Sequence, residues 1–496
     1  MQLTKGAIGN LINRYKAVLK KCHLMNTFGS LAVAGMLVMG GAGVAGAAIT
    51  TGQDFKNAVT NATPSDTITL GQDIKEGLGA VFKEKTVTVD FGGHTYTGYS
   101  GSVGSQGTET QLFQLLKSSP AVTLKNGILN IATPTVESGK FKMVLQNYCK
   151  LTLENMVVDG SNLQGNVSYT MSNNHGDITI NNSTIIAKKG GVAFDVYYWP
   201  KGGYGDGVSV TVNNSTINGK IEVTVDGTES LGDGAKHQLT LTGGTLTGGL
   251  TAAQGAQLYN EGTTVISDVA MAGNIATEKG GAIFNSDDKT GAKGNLTLNN
   301  VDLKDNKANF GGAIWNEGTL TVTGGSFEGN TATKAAGAIY NAADAKLTVD
   351  GVTFANNSSA KAGAINSMAG KNETTTTIKN SKFNNNSAVN GMGGALANSS
   401  NAENGSTEGF SGKMSLTDTA FSGNTARNGG ALWNGVQWTV NITGGSFDNN
   451  SAVTPAGSTY PAQGGAISNS GALNISGVTF SNNKTDGLGG AIFNRS

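Results

Sequence analysis

Cysteine is almost missing from this chain of 496 residues: there are two, Cys22 and Cys149. A small disulfide-stapled scaffold is therefore excluded, and stability must come from packing and backbone hydrogen bonds. Proline is scarce as well, with 6 copies, and no Gly-X-Y period runs through the 74 glycines, which excludes a collagen helix. Only 14% of residues are charged and the formal net charge is zero. A nucleic-acid partner needs clustered lysine and arginine, so none is expected. Disordered chains are charge-rich and poor in β-branched residues, whereas this one is full of short runs such as "LTLT", "VTVN" and "ITIN". Helical periodicity is absent from these runs. They alternate with period two and are separated by Gly, Asn, Ser and Thr, the pattern of many short strands joined by tight turns.

The first 47 residues differ from the rest. They carry Lys5, Arg14, Lys16, Lys20 and Lys21 and no acid, then a nine-residue apolar stretch at 31–39, then small residues ending Ala45-Gly46-Ala47. A basic segment, a short apolar segment and an A-x-A site describe a secretory signal peptide, and the apolar run is too short to span a bilayer. Cleavage is expected between Ala47 and Ala48. It would leave 29 basic and 34 acidic residues and Cys149 as the last cysteine.

Two short motifs alternate through the C-terminal half. One places Phe three residues before Asn: Phe327 and Asn330, Phe354 and Asn357, Phe383 and Asn386, Phe421 and Asn424, Phe447 and Asn450, Phe480 and Asn483. Leu303 with Asn306 and Met271 with Asn274 are weaker copies. The other reads glycine, alanine, an aliphatic residue, a variable residue, then Asn, as in Ile339–Tyr340–Asn341 and Leu432–Trp433–Asn434. Its aliphatic residue recurs at 283, 314, 339, 365, 396, 432, 467 and 492, so the smallest unit is about 25 residues. Repeats of that length stack into solenoids, and strand-built units stack into a parallel β-helix. Alternation along a strand puts Ile339, Asn341, Leu432 and Asn434 inward and the residue between them outward. Phe327 with Asn330, and Phe421 with Asn424, break simple alternation, which places a corner between each pair. Stacked asparagines would form an amide ladder. Glycines before the alanine suit positive φ or close coil-to-coil approach. All these repeated residues read as scaffold, and variable residues such as Ser422, Arg427 and Trp433 as outward-facing.

Upstream, segments such as "VTLKNGILNI" and "VTVNNSTING" read strand, Asn/Gly turn, strand. Before them "DFKNAVTNATPSDTITL" reads as a short amphipathic helix capping the coil, then the first strand. The expected fold is all-β: a right-handed parallel β-helix, with no C-terminal β-barrel segment in the sequence. Three segments are expected: the signal peptide at 1–47, an N-terminal β-helix with its cap at 48–264, and a β-helix of the paired motifs at 265–496.

The paired motifs over about 265–496 resemble those of the polymorphic membrane proteins of chlamydiae and of related autotransporter-like proteins. Residues 49–250 resemble the general pectin-lyase-like β-helix class, and the long basic leader resembles the extended signal peptides of large Gram-negative autotransporters. The resemblance implies an exported passenger, crossing the periplasm to the cell surface, the outer membrane or the medium, and acting as a non-enzymatic adhesin toward a receptor or glycan on a host or neighbouring cell. Membrane contact would come through a separate or missing β-barrel. No cofactor is expected.

The alternative is a carbohydrate-active β-helix enzyme, a polysaccharide lyase or glycoside hydrolase, which needs suitably placed carboxylates. The most aromatic segment, "FDVYYWPKGGYGDG" at 194–207, offers Asp195, Tyr197, Trp199 and Asp206 as a carbohydrate-binding set. The same segment also reads as a decorated turn between coils. "SDDK" at 286–289 is either a metal candidate or a solvated insertion. His94, His175 and His237 show no metal-ligand spacing and read as structural. There is no Gly-x-Ser-x-Gly elbow and no phosphate loop.

Overall fold

A computed structural model describes residues 48–105, 108–134, 138–165, 168–199, 207–225, 237–249, 252–286, 294–400 and 409–495. The chain divides into two compact units, Met1–Ala45 and Gly46–Ser496. The first, with the expected signal peptide and Ala47 of its cleavage site, lies outside the described residues.

The second unit begins with a helix, Gly52–Asn61. The Thr51 hydroxyl caps it by accepting from the Asp54 N–H at 3.1 Å. Phe55 and Val59 project from its buried face, and the Phe55 ring packs on Tyr96 and Phe113 at centroid distances of 4.6 and 5.4 Å. The helix thus closes the end of the first coils, whose core residues would otherwise meet water.

Among the described residues, everything after the helix is strand and turn, apart from the 3₁₀ turn Ser138–Lys140. The described strands form three sheets of 24, 15 and 9 strands, and they pair in parallel. One coil of the repeat region shows the order: Thr319–Glu328 in the first sheet, Thr331–Ala335 in the third, Ile339–Asn341 in the second, then Lys346–Asp350 back in the first. The third sheet begins at Ala252–Gln254. The expected parallel β-solenoid is therefore what the sequence builds. Its core is one continuous cluster from Phe55 to Ile467.

Three kinds of contact lock each coil to the next. The phenylalanines stack: Phe327, Phe354, Phe383, Phe421, Phe447 and Phe480 follow one another at centroid distances of 4.6 to 5.1 Å with near-parallel rings. Leu303 and Met271 continue the row upstream.

The asparagines three residues on form a fully bonded ladder. The Asn330 backbone N–H and Nδ2 both donate to Asn357 Oδ1, at 3.0 Å each, and Nδ2 also donates to the Leu303 carbonyl at 2.9 Å. The same pattern runs from Asn274 to Asn483. The corner between Phe and Asn is made by the residue just before the Asn, which has φ near +50 to +70° at Asp305, Gly329, Asn356, Asn385, Gly423, Asn449 and Asn482. Glycine, asparagine and aspartate are the residues that enter this left-handed region most readily. That turn lets two side chains three apart both face the core.

The glycine pair before the alanine divides its labour. The first position has positive φ, for example +60° at Gly311, and two coils place alanine there, Ala336 and Ala362, both at +62°. The second position is constrained by its neighbour: a Cβ on Gly312 would lie 2.2 Å from the Gly337 carbonyl oxygen, and one on Gly337 2.1 Å from that of Gly363. Left-handed backbone tolerates alanine at some strain; a carbonyl at 2 Å does not.

Candidate functional site

Outward residues of the second sheet form one continuous row. Strand register puts Gln114, Gln146, Ser172, Asp195 and Glu222 in line, followed by Tyr259, Phe284, Trp315 and Tyr340 on successive coils. The row is polar at its N-terminal end and aromatic after Glu222.

In the polar half the side chains bond along the axis. Gln114 Nε2 donates to Gln146 Oε1 at 3.1 Å, and Gln146 Nε2 donates to the Tyr148 hydroxyl at 2.9 Å. The Ser172 hydroxyl lies 3.1 Å from Asp195 Oδ2 and 3.0 Å from Asn174 Oδ1, and the Asn173 N–H donates to Asp195 Oδ1 at 2.8 Å. Asp195 is only 7% exposed. Burial pushes its carboxyl up to about 7, against the pull of the Ser172 and Asn173 hydrogen bonds, and the charge of Glu222 pushes the same way. Glu222, one coil on, is paired with Lys220 Nζ at 2.9 Å. Two carboxylates thus sit in register on neighbouring strands, roughly 4.8 Å apart at the backbone, in different surroundings. Tyr169 stands against both, and its hydroxyl is raised by burial first and then by their charges.

In the aromatic half the polar ring tips of Tyr259 and Trp315 each meet a carboxylate two residues along the chain. The Tyr259 hydroxyl donates to Glu261 Oε1 at 3.0 Å, and Trp315 Nε1 donates to Glu317 Oε1 at 2.8 Å. The rings stack, Tyr259 on Phe284 at 5.3 Å and Trp315 on Tyr340 at 4.1 Å. Lys279 Nζ lies 4.2 Å over the Trp315 ring and 3.3 Å from Glu317 Oε1.

The variable slot does face away from the core, in a cluster separate from it. It is not generally open to solvent. Phe284, Trp315 and Tyr340 are 3, 8 and 9% exposed. The reason is the glycine-alanine corner, which brings the end of the third sheet alongside. Phe310, at the end of a third-sheet strand, packs edge-on against both Trp315 and Tyr340, at 5.8 and 5.7 Å. Trp433, Ser422 and Arg427 are half-buried.

Of the carbohydrate set, Asp195 and Tyr197 lie on one strand, Val192–Tyr198, two residues apart and so on the same outward side, and Trp199 follows, exposed. Asp206 and residues 287–289 of the metal candidate lie outside the described residues. Sequence reasoning missed Glu222, Glu261 and Glu317. Their strands in register with Asp195 or with the repeat would have exposed them, but the coil lengths around 199–237 vary and no motif there fixes register.

The scaffold set divides as follows. Phe327, Asn330, Ile339, Asn341, Phe421, Asn424, Leu432 and Asn434 are all fully buried. His94 Nδ1 lies 3.3 Å from Asp73 Oδ1 at the surface, and His237, fully buried, stacks on Tyr198 at 6.1 Å. Among the described residues no group of three or more His, Cys, Asp or Glu could hold a metal ion. Cys149 is free and buried, and burial pushes its thiol up to about 12. No helix among the described residues is long and apolar enough to cross a membrane.

Three segments, residues 268–286, 418–435 and 477–495, match the Chlamydia polymorphic membrane protein repeat. Each spans parts of both motifs described above. No curated protein matches the chain. Among solved structures there is a weak likeness to the Streptococcus pneumoniae surface protein and adhesin PfbA, at 12% identity over 84% of this chain and 92% of that one, with a TM-score of 0.17.

Proposed function

We propose that the chain is the solenoid passenger of an exported, autotransporter-type bacterial surface protein, and that it works as a non-enzymatic adhesin or surface-interaction scaffold. The observation that carries this reading is the match of three of its coils to the Chlamydia polymorphic membrane protein repeat. The basic leader and its A-x-A site support export, with a cell-surface, outer-membrane or secreted destination. The use of the repeated residues supports a scaffold role. Phe421, Asn424, Leu432 and Asn434 are spent inside the coil on stacking and ladder bonds, so recognition falls to the outward rows and to the connections between sheets.

The test is adhesion by the purified protein, immobilised on beads, to a panel of host cells, bacteria and extracellular-matrix proteins. Binding above that of a β-solenoid of unrelated surface sequence is expected for at least one member. No such binding across the panel would remove the adhesin reading.

One observation favours a second reading. Asp195 and Glu222 are neighbouring carboxylates in unlike surroundings, one with its carboxyl raised to about 7 by burial and one paired with a lysine, which is how acid and base roles are separated in glycoside hydrolysis. Release of reducing ends from a polysaccharide panel, abolished by Glu222→Gln, would establish it.

A further inference from the structure

We propose that the outer corner between the second and third sheets at Trp433 docks a side-chain carboxylate from an acidic, partly apolar segment of a partner protein. This deepens the surface-interaction reading and rests on it.

The first observation is an incomplete copy of a contact that the chain completes elsewhere. At Trp315 the ring N–H donates to Glu317 Oε1 at 2.8 Å, Lys279 Nζ lies 4.2 Å over the ring, and the same glutamate oxygen pairs with Lys279 at 3.3 Å. Trp433 occupies the same slot four coils on. A lysine again stands over its ring, Lys361, with Nζ 5.5 Å from the centroid. The carboxylate is missing, because the residue two places along is Gly435. No side chain fits there: a Cβ on Gly435 would lie 2.7 Å from the Asn398 carbonyl oxygen. The benzo edge of Trp433 lies against the same point, with Cη2 at 3.2 Å, which turns the ring N–H away from its own strand. The strand therefore cannot supply the acid.

The second observation is a set of donors without acceptors. Lys361, Met392 and Asn428 succeed one another at the end of the third sheet, through the bonds from the Ala362 N–H to the Met392 carbonyl and from the Gly393 N–H to the Asn428 carbonyl. Lys361 thus starts two coils before Trp433 and reaches it past the coil whose slot holds the small Ala397. Arg427 precedes Asn428 as Lys334 precedes Ala335, and Lys334 Nζ lies 5.2 Å over the Phe310 ring, so this position faces the corner. Among the described residues, Lys361 and Arg427 have no ion pair, and Trp433 Nε1 and the Asn428 amide have no hydrogen-bond partner. All four residues are half-buried. Arg427 Nε and Asn428 Oδ1 are turned in and buried, which leaves the terminal guanidinium nitrogens and the amide nitrogen toward the surface. Burial lowers Lys361, with no acid opposing it. Donors carrying two positive charges fit an anion, and a carboxylate accepts from several of them at once.

The third observation is the apolar rim. Val436 follows Gly435, and Val453 adjoins Arg427 on the next coil, where its N–H donates to the Ala426 carbonyl. Tyr460 stands three residues before Gln463, the neighbour of Asn428 on that coil. All three side chains are exposed. Exposed apolar groups around a cationic centre mark a surface for protein rather than for a free ion.

The experiment is fluorescence anisotropy of a labelled, C-amidated peptide of alternating glutamate and leucine, titrated with the purified full chain. Its glutamine counterpart and heparin serve as comparisons. The glutamate peptide should bind, more weakly as salt rises, and the glutamine peptide should not. This comparison uses the parent protein alone and does not depend on how any variant folds. Lys361→Met with Arg427→Gln should weaken the binding tenfold or more, with a melting temperature no lower than the parent's, since an unpaired cation is removed and its apolar stem is kept. Trp433→Phe, which loses the ring N–H, should weaken it several-fold. Lys382→Gln, exposed on the first sheet, should leave it unaltered. No binding of the glutamate peptide, equal binding of the glutamine peptide, or full affinity in the double variant would overturn the proposal. Tighter binding of heparin, lost in the double variant, would assign the corner to a sulfated polymer and overturn it as well. Cell adhesion measured on the double variant separates the two readings: adhesion that survives without peptide binding leaves the surface role standing and removes this corner from it.

Discussion

The side-chain oxygen of Asn398 is buried without a hydrogen-bond partner because the residue in register with it on the preceding coil is Ser367. Elsewhere in this row Nδ2 of one asparagine donates to Oδ1 of the next at 2.7 Å, as from Asn285 to Asn316 and from Asn316 to Asn341. At Ser367 the chain of amides stops. The serine hydroxyl pairs with Thr376 Oγ1 at 2.9 Å, and Asn341 Nδ2 reaches only the same threonine at 3.4 Å. Beyond the break the step from Asn398 to Asn434 is long, at 3.4 Å.

Ser367→Asn should therefore stabilise the protein. It supplies a donor to Asn398 Oδ1 and an acceptor to Asn341 Nδ2, a gain of about 1 to 2 kcal/mol by the usual worth of satisfying a buried polar atom. Urea denaturation should show a higher midpoint. A lower midpoint would mean that Thr376, and Met414, whose Sδ accepts from Asn398 Nδ2 at 3.6 Å, determine this step rather than the missing amide.

The two glycine positions of the corner should respond unequally to substitution. Gly337→Ala puts a methyl 2.1 Å from the Gly363 carbonyl oxygen and 2.6 Å from the Ser358 nitrogen, both backbone atoms of the next coil. It should cost more than about 4 kcal/mol or prevent folding, as overpacking against backbone does. Ala336→Gly relieves a left-handed alanine, at φ +62°, while it loses a buried methyl and adds freedom to the unfolded chain. These effects offset, and the net change should stay within about 1 kcal/mol. Equal effects at the two positions, read by thermal melts, would contradict the division of roles.

Legibility in the sequence followed from repetition. Eight stacked copies revealed which positions the coil fixes, so the inward Ile339 and Asn341 and the corner between Phe421 and Asn424 could be read from spacing alone. The cause of that corner was also visible, since the residue before each asparagine is Gly, Asn or Asp. Variation was harder to interpret. Tyr340 and Ser468 share a slot because the slot lies outside the core, but how far each is covered depends on its neighbours in the third sheet, and Phe310 covers Trp315 and Tyr340 from a strand whose sequence shows no motif. The outer row through Asp195 and Glu222 could not be assembled without register, because it lies upstream of the paired motifs, where coil lengths differ.

Asn424→Ala should loosen the solenoid on one side of the substitution more than the other. Asn424 Oδ1 accepts from both the Asn386 N–H at 2.9 Å and Asn386 Nδ2 at 3.0 Å, and Asn424 Nδ2 donates to the Phe383 carbonyl at 2.8 Å. Asn424 Nδ2 also donates to Asn450 Oδ1 at 2.9 Å, which keeps a second donor in the Asn424 N–H; four buried groups thus lose a bond, three of them on the Asn386 side, and the cost should be about 3 kcal/mol or more. The Asn386 amide should lose hydrogen-exchange protection. The Asn424 amide, which donates to Asn450 Oδ1 at 3.1 Å, keeps its acceptor and should exchange more slowly than that of Asn386. Equal deprotection of the two would show that the ladder acts as one cooperative unit rather than as a series of directed bonds.

Asp195 should make the protein less stable as pH rises through neutrality. Burial raises its folded carboxyl to about 7, against about 3.9 for an ordinary aspartate. Between those values the folded state holds a proton that the unfolded state has released, so unfolding releases it and stability falls with increasing pH. Below about pH 4 both states are protonated and the effect is absent; above about pH 7 it is fully expressed as a loss. Asp448 and Asp486 act in the opposite sense. Their carboxyls are lowered by hydrogen bonds, chiefly from Ser481 and from Thr454, so their contribution disappears only as pH falls through the acid range. The range from pH 5 to pH 8 lies above that of Asp448 and Asp486, and because the histidines that titrate there are common to both proteins, the difference between parent and Asp195→Asn variant across it isolates Asp195. Asp195→Asn mimics the protonated acid: its oxygen can accept from the Asn173 N–H, and its amide can donate to the Ser172 hydroxyl. The variant should match the parent at pH 5, exceed it at pH 8, and show a flatter pH profile of denaturation midpoints. A parent profile flat from pH 5 to 8, or a carboxyl resonance of Asp195 titrating near 4, would show that its pair of hydrogen bonds outweighs its burial.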